Sequence, residues 1–260
     1  MSSQNRLLPV VTITGSSLVV GCGGYSGGSC GYGSSYGSSI VCAAPNIGGP
    51  GYYEGTRTSQ GSPQANPVVA IIADNGDGAM SGQDGTYYRL NVSLSGNNVS
   101  GTFYGLSQGA DFPNGSQATS GSISAVATPP SLSGTIAHQT GAAESLLLNF
   151  DAVYNLGSSL ATLAGTWSYT ANGFSLTATI RPDGTFSAID SNNCSYTGAF
   201  GLIDPNFNAY SESYTRSCKG VNETFTGLAT YFPPVGNTAN AGIKMLADDH
   251  VSEFLVADFQ

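Results

Sequence analysis

The chain has 260 residues, a formal net charge of −9 and only 9% charged residues, with seven Lys+Arg against sixteen Asp+Glu. Seven scattered cations cannot build the basic face that nucleic acid requires, and an anionic membrane surface would repel the body of the protein. Thirty-six glycines and few long charged side chains do not suit surface helices; they suit short strands joined by tight turns.

Residues 1–22 open with "MSSQNR", one positive charge, then "LLPVVTITGSSLVV", then Gly21 and Cys22. That is the order of a secretory signal: a basic region, an apolar region and small residues before a cleavage site. Val19-Val20-Gly21-Cys22 resembles a lipobox, which implies that Cys22 is acylated and becomes the mature N-terminus. The other reading is a first strand, since "VVTIT" alternates. The stretch falls short of the roughly 20 apolar residues of a membrane-spanning helix.

The five cysteines are Cys22, Cys30, Cys42, Cys194 and Cys218. An odd count in an exported chain needs an explanation. If Cys22 carries lipid, four remain for two pairs, Cys30 with Cys42 and Cys194 with Cys218. Residues 23–62 read as a tether of Gly, Ser, Tyr and Pro that buries too little apolar surface to offset its ordering entropy. Forty such residues would span about 35 Å.

Residues 63–157 read as a β-rich domain with six strands, beginning with "NPVVAIIAD", a run of the kind buried on both faces, and then "TYYRLNVSLS", "NVSGTFYGL", "SGSISAVA", "SLSGTIAHQ" and "ESLLLNFDAVYNL". Between the first two lies "ADNGDGAMSGQDG", where Asp74, Asn75, Asp77 and Asp84 could offer hard oxygen ligands to Ca²⁺, although the spacing is not that of an EF-hand. "GTYYRL" at Gly85 faintly echoes "GTWSY" at Gly165, as a distant duplication would. "SSLATLAG" predicts one helical turn plugging a barrel end.

Residues 158–260 are the most regular part. Asn172-Gly173 sits between two alternating runs, the strongest short hairpin signal, and Pro182-Asp183-Gly184 marks a second turn. Eight strands are predicted near 163–170, 173–181, 184–190, 194–202, 208–218, 221–232, 241–247 and 252–259. Eight antiparallel strands on short turns fit an up-and-down barrel just wide enough to be filled by side chains. In a hairpin the paired residue numbers have a constant sum. Cys194 and Cys218 share the sum of a turn centred on Asn206, so they should face each other on adjacent strands, within disulfide reach.

Two resemblances follow. Gly165-Thr166-Trp167 resembles the G-x-W of the lipocalin first strand, which implies a calyx for a small apolar ligand, although the later lipocalin motifs are absent. "LATLAGTWSY…DGTFSAIDSNNCSYTGAF…YSESYTRSC…FTGLATYF" resembles a group of uncharacterised proteobacterial envelope lipoproteins with a small C-terminal β-barrel and a paired cysteine at this place. That implies a fold and a compartment and carries no catalytic residues.

Catalytic signals are sparse. "GYSGG" and "GSSYG" match G-x-S-x-G, but in low-complexity sequence without the strand and helix that a nucleophile elbow requires. The two histidines are His138, read as a surface strand residue, and His250, which follows Asp248 and Asp249 in a turn where a triad or metal site is conceivable. One histidine beside two carboxylates lacks the converging ligands of a zinc site. The sequence therefore predicts an all-β, non-enzymatic lipoprotein of the bacterial outer membrane, with no cofactor. Its partners would be the membrane, through the anchor, and an unknown protein or small apolar ligand. A carrier would leave room inside the barrel. An adhesin or inhibitor would fill the barrel and expose an aromatic patch, with Tyr52, Tyr53, Tyr87 and Tyr88 as candidates.

Overall fold

The computed structural model describes residues 49–109, 111–112, 115–234 and 240–260. The expected signal, Cys22, Cys30, Cys42 and both G-x-S-x-G matches lie outside the described residues. The first half holds β1 (Gly51–Ser59), β2 (Ala65–Ile72), β3 (Asp77–Gly82), β4 (Thr86–Ser95), β5 (Asn98–Ser107), β6 (Ala118–Thr128), β7 (Ser131–His138) and β8 (Ala143–Asp151). After a short helical turn, α1 (Leu160–Leu163), come β9 (Gly165–Ala171), β10 (Phe174–Ile180), β11 (Thr185–Asp190), β12 (Ser195–Leu202), β13 (Tyr210–Cys218), β14 (Val221–Phe232), β15 (Gly242–Asp248) and β16 (Phe254–Phe259). Each strand in a half pairs antiparallel with its chain neighbour, and β1 also pairs with β8, closing the first barrel. The second sheet curls until its ends meet, where Ser168 and Gln260 exchange two backbone hydrogen bonds of 2.9 Å.

The second half follows the sequence reading strand for strand. Asn172 and Gly173 take the positive φ values, 49° and 80°, that their hairpin turn demands. β12 and β13 pair Ser195 with Ser217, so the next pair outward is Cys194 and Cys218, disulfide-bonded with Cα atoms 4.5 Å apart. α1 buries Leu163, and the Trp167 indole N–H donates to the Leu163 carbonyl at 2.8 Å, seating the turn on the barrel end.

The first half departs from the reading in two places. The expected tether, 23–62, contains β1: Tyr53 packs inside the barrel, and the strand is hydrogen-bonded on both edges. Gly51 and Gly55 blur its alternation, yet both sites are filled: a Cβ at Gly55 would stand 2.1 Å from the Leu147 carbonyl oxygen, and one at Gly51 2.6 Å from the Tyr53 ring. β3, "DGAMSG", reads as a loop because only Met80 is a large apolar residue. It is a strand because its small residues fit between β2 and β4. The echo of Gly85 and Gly165 is out of register, since Gly165 opens the first strand of its barrel and Gly85 precedes the fourth strand of the other.

Three apolar clusters hold the molecule together. Two fill the barrels, and the third lies between them. The run "VVAII" shows why: Val68, Ala70 and Ile72 point into the first barrel, whereas Val69 and Ile71 pack with Leu228, Leu246 and Val256 of the second half. Period-2 alternation therefore persists, with both faces buried. The tyrosines follow the same parity. Tyr53 and Tyr88 are interior, and Tyr52 and Tyr87 are in the seam, with Tyr87 stacked on Phe254 at 5.3 Å between ring centres. All four are buried, so the exposed aromatic patch expected of an adhesin is not formed by them.

Candidate functional site

One end of the first barrel is closed by inward-pointing polar side chains. Arg57 on β1 pairs with Glu144 on β8 and with Asp84 in the turn after β3, and its guanidinium stands 5.3 Å over the Tyr88 ring. The Tyr88 hydroxyl donates to Glu144 at 2.8 Å, and Ser59 donates to the same carboxylate at 3.0 Å. His138 Nε2 lies 3.2 Å from Glu144, its Nδ1 2.9 Å from the Thr119 hydroxyl, and its ring edge-on to Phe103. Burial alone would raise the Glu144 pKa, but His138, Arg57 and the hydroxyls outweigh it and hold the carboxyl at about 2. This is a carboxylate locked in its charged form, suited to anchoring strands and not to moving protons. His138, expected at the surface, is 4% exposed. It occupies the last inward position of β7, after Leu132 and Ile136.

The second cluster lies on the seam. Thr226 on β14 is directly opposite Asp248 at the end of β15. Asp248 is fully buried and accepts from the hydroxyls of Tyr87, at 2.9 Å, and Tyr104, both on the first barrel. It also accepts from the His250 backbone N–H at 2.9 Å, an Asx turn that holds His250 at φ 61°, the left-handed region that few non-glycine residues enter. The His250 ring is thereby turned back over the sheet. Nδ1 lies 3.1 Å from Asp248 Oδ1 and 2.6 Å from the Tyr104 hydroxyl, and Nε2 lies 2.7 Å from Thr226 Oγ1. A hydroxyl, an imidazole and a carboxylate stand in line, with the ring 51% exposed and the carboxylate at 0%. Burial, and then the Asp248 carboxylate, keep the Tyr87 hydroxyl protonated far above its ordinary range, so it is a permanent donor to Asp248.

Asp249 takes no part. Its carboxylate accepts from the N–H groups of Val251, Ser252 and Glu253 and shapes the turn. The Ca²⁺ candidates are separated. Asp74 accepts from the Tyr154 hydroxyl at 2.8 Å, Asn75 accepts from the Asp77 N–H at 3.0 Å, Asp77 lies 3.8 Å from Arg89, and Asp84 serves Arg57. β3 runs between Asp77 and Asp84, a span of about 20 Å at roughly 3.3 Å per residue, so the four cannot share one ion. Among the described residues no three His, Cys, Asp or Glu side chains are placed to hold a metal. Arg57, Glu144, Tyr104 and Thr226 carry no local motif. Thr226 could have been found only by fixing the β14–β15 register, which opposes it to Asp248.

The interior of the second barrel leaves a cavity of about 20 Å³ among Trp167, Leu176, Phe186, Tyr214, Met245 and Phe259. That is room for about one water molecule.

No protein-family model matches the chain, and no curated protein matches it. Among solved structures, the crystal structure of a Bacteroides fragilis protein described as a "putative outer membrane protein" is similar over 81% of this chain and 95% of that chain, at 13% identity and a TM-score of 0.29. A likeness at that score fixes neither fold nor function.

Proposed function

We propose that the chain is an exported envelope lipoprotein, anchored by acylated Cys22 and carrying two fused, filled β-barrels as a rigid head with a binding or structural role at the outer membrane. The observation that carries this reading is the direction of the strand alternation. Outward positions of β9 and β10 are Thr166, Ser168, Thr170, Ser175, Thr177 and Thr179, and their inward neighbours are apolar. A barrel that spans lipid turns its apolar face outward. These walls face water, so attachment to a membrane falls to the opening segment, where the basic, apolar, small-residue and Cys22 order supplies it. The Cys194–Cys218 disulfide supports folding of the head in an oxidising compartment.

Binding at the outer surface is favoured over carriage of an apolar ligand, because aromatic side chains fill the space that a calyx would leave. The test is intact mass spectrometry of the protein taken from bacterial membranes, with and without reductant. Cleavage before Cys22, added acyl chains and two disulfides are expected. A chain that keeps Met1 and binds no lipid would overturn the reading.

A further inference from the structure

We infer that Thr226, His250 and Asp248 form a nucleophilic acyl-transfer site, and that its substrate is an acyl ester presented from solvent on a larger alcohol. The order of the three groups is that of a hydroxyl nucleophile, its base and the carboxylate that orients the base. With the ring proton on Nδ1, donated to the Tyr104 hydroxyl at 2.6 Å, which itself donates to Asp248, and with Asp248 Oδ1 3.1 Å from Nδ1, the Nε2 lone pair accepts the Thr226 hydroxyl at 2.7 Å. Three features distinguish this from a chance contact. Asp248 is fully buried yet held by two tyrosine hydroxyls and one backbone N–H, so its position is over-determined. His250 is fixed in the left-handed conformation by the Asx turn on Asp248, which sets where its ring lies. The reacting end is open, with Thr226 half-buried and the imidazole 51% exposed.

The chemistry balances with water as the second substrate. Thr226 Oγ bonds to the carbonyl carbon while Nε2 takes the hydroxyl proton. The bond from carbon to the alcohol oxygen breaks, and that oxygen leaves with the proton from Nε2. Water then attacks the acyl-threonine by the same route, releasing the carboxylic acid and restoring the hydroxyl. An alkoxide leaves more readily than an amide nitrogen, which favours esters at a site this exposed. Val251, 75% exposed beside His250, offers apolar contact to the acyl group.

The experiment measures hydrolysis of p-nitrophenyl acetate by the full chain, together with the peptide labelled by a fluorophosphonate. The wild type should turn over ester and carry the label on Thr226. Thr226→Val should lose about 100-fold or more of the rate above background, while Thr226→Ser should keep it. Circular dichroism melts show that each variant is folded, so lost activity is not lost structure. A wild type without turnover, a Thr226→Val as fast as wild type, or a label elsewhere would each overturn the assignment. None of these outcomes depends on acylation of Cys22, so failure here leaves the envelope reading standing.

Discussion

Inside the first barrel, Arg57 sits between Glu144 and Asp84, and the carboxylate lone pairs are taken up by hydroxyls and a histidine. Inside the second, Glu212 points inward between Tyr210 and Tyr214, and neither its carboxylate oxygens nor the Tyr214 hydroxyl have a hydrogen-bond partner. Burial pushes the Glu212 pKa well above its ordinary value, which favours the neutral acid. The first barrel is closed by a full β1–β8 ladder and the second, between β9 and β16, by two backbone bonds, while its disulfide joins β12 to β13. One barrel is fastened by charge, the other by covalent linkage and aromatic packing. The lesson is that an inward carboxylate can be kept in a core either by pairing it or by neutralising it, and the two choices respond to pH in opposite senses.

The largest test removes the charge partner of the first barrel. Arg57→Met leaves Glu144 and Asp84 without their cation and should cost about 3–5 kcal/mol in urea unfolding. A loss under 1 kcal/mol would show that the network is ornamental. Next, opening the second barrel's staple with Cys194→Ala/Cys218→Ala, which spans a sequence separation of 24 residues, should cost about 3 kcal/mol. The single tryptophan, Trp167, belongs to the second barrel, so its fluorescence should report this loss directly.

The pH comparison is sharper, although smaller. The Glu144 pKa lies below its unfolded value of 4.5, so its contribution is complete above 4.5 and disappears as pH falls through about 2. The Glu212 pKa lies above its unfolded value, so its contribution is complete below 4.5 and fades as pH rises through the folded value. Glu212→Gln should therefore change stability little at pH 4 and raise it increasingly toward pH 9. A Trp167 melting curve whose Glu212→Gln gain is the same at both pH values would refute the neutral-acid assignment. The smallest effect concerns closure. Gln260→Pro removes one of the two bonds to Ser168 and should cost about 1 kcal/mol, with faster amide exchange confined to β9 and β16.

Legibility followed the turns. In residues 158–260, Asn172-Gly173 and Pro182-Asp183-Gly184 fixed where strands end, and the run between them alternates, its apolar positions Leu176, Ala178 and Ile180 being those the structure turns inward. The cysteine pair then fixed one register. In the first half the same rules missed β1 and β3, because Gly55 and Gly78 stand where neighbouring strands approach too closely for a side chain and Gly51 where the Tyr53 and Phe150 rings already fill the space. Glycine chosen for close approach is indistinguishable, in sequence, from glycine chosen for flexibility. His138 was placed on the right strand and the wrong face, since one polar residue in an alternating run does not announce that a buried glutamate awaits it.

The sequence by itself determined the all-β class, the turn positions, the Cys194–Cys218 pairing and the helical turn under Trp167, because these depend on residues close in the chain or on a single hairpin register. The tertiary structure decided the rest. It closed the first barrel through β1, hid Tyr52 and Tyr87 in a seam between barrels, and brought Tyr104 to His250 across 146 positions. Such contacts arise from the packing of one barrel wall on another, and no local pattern of residues encodes which wall that will be.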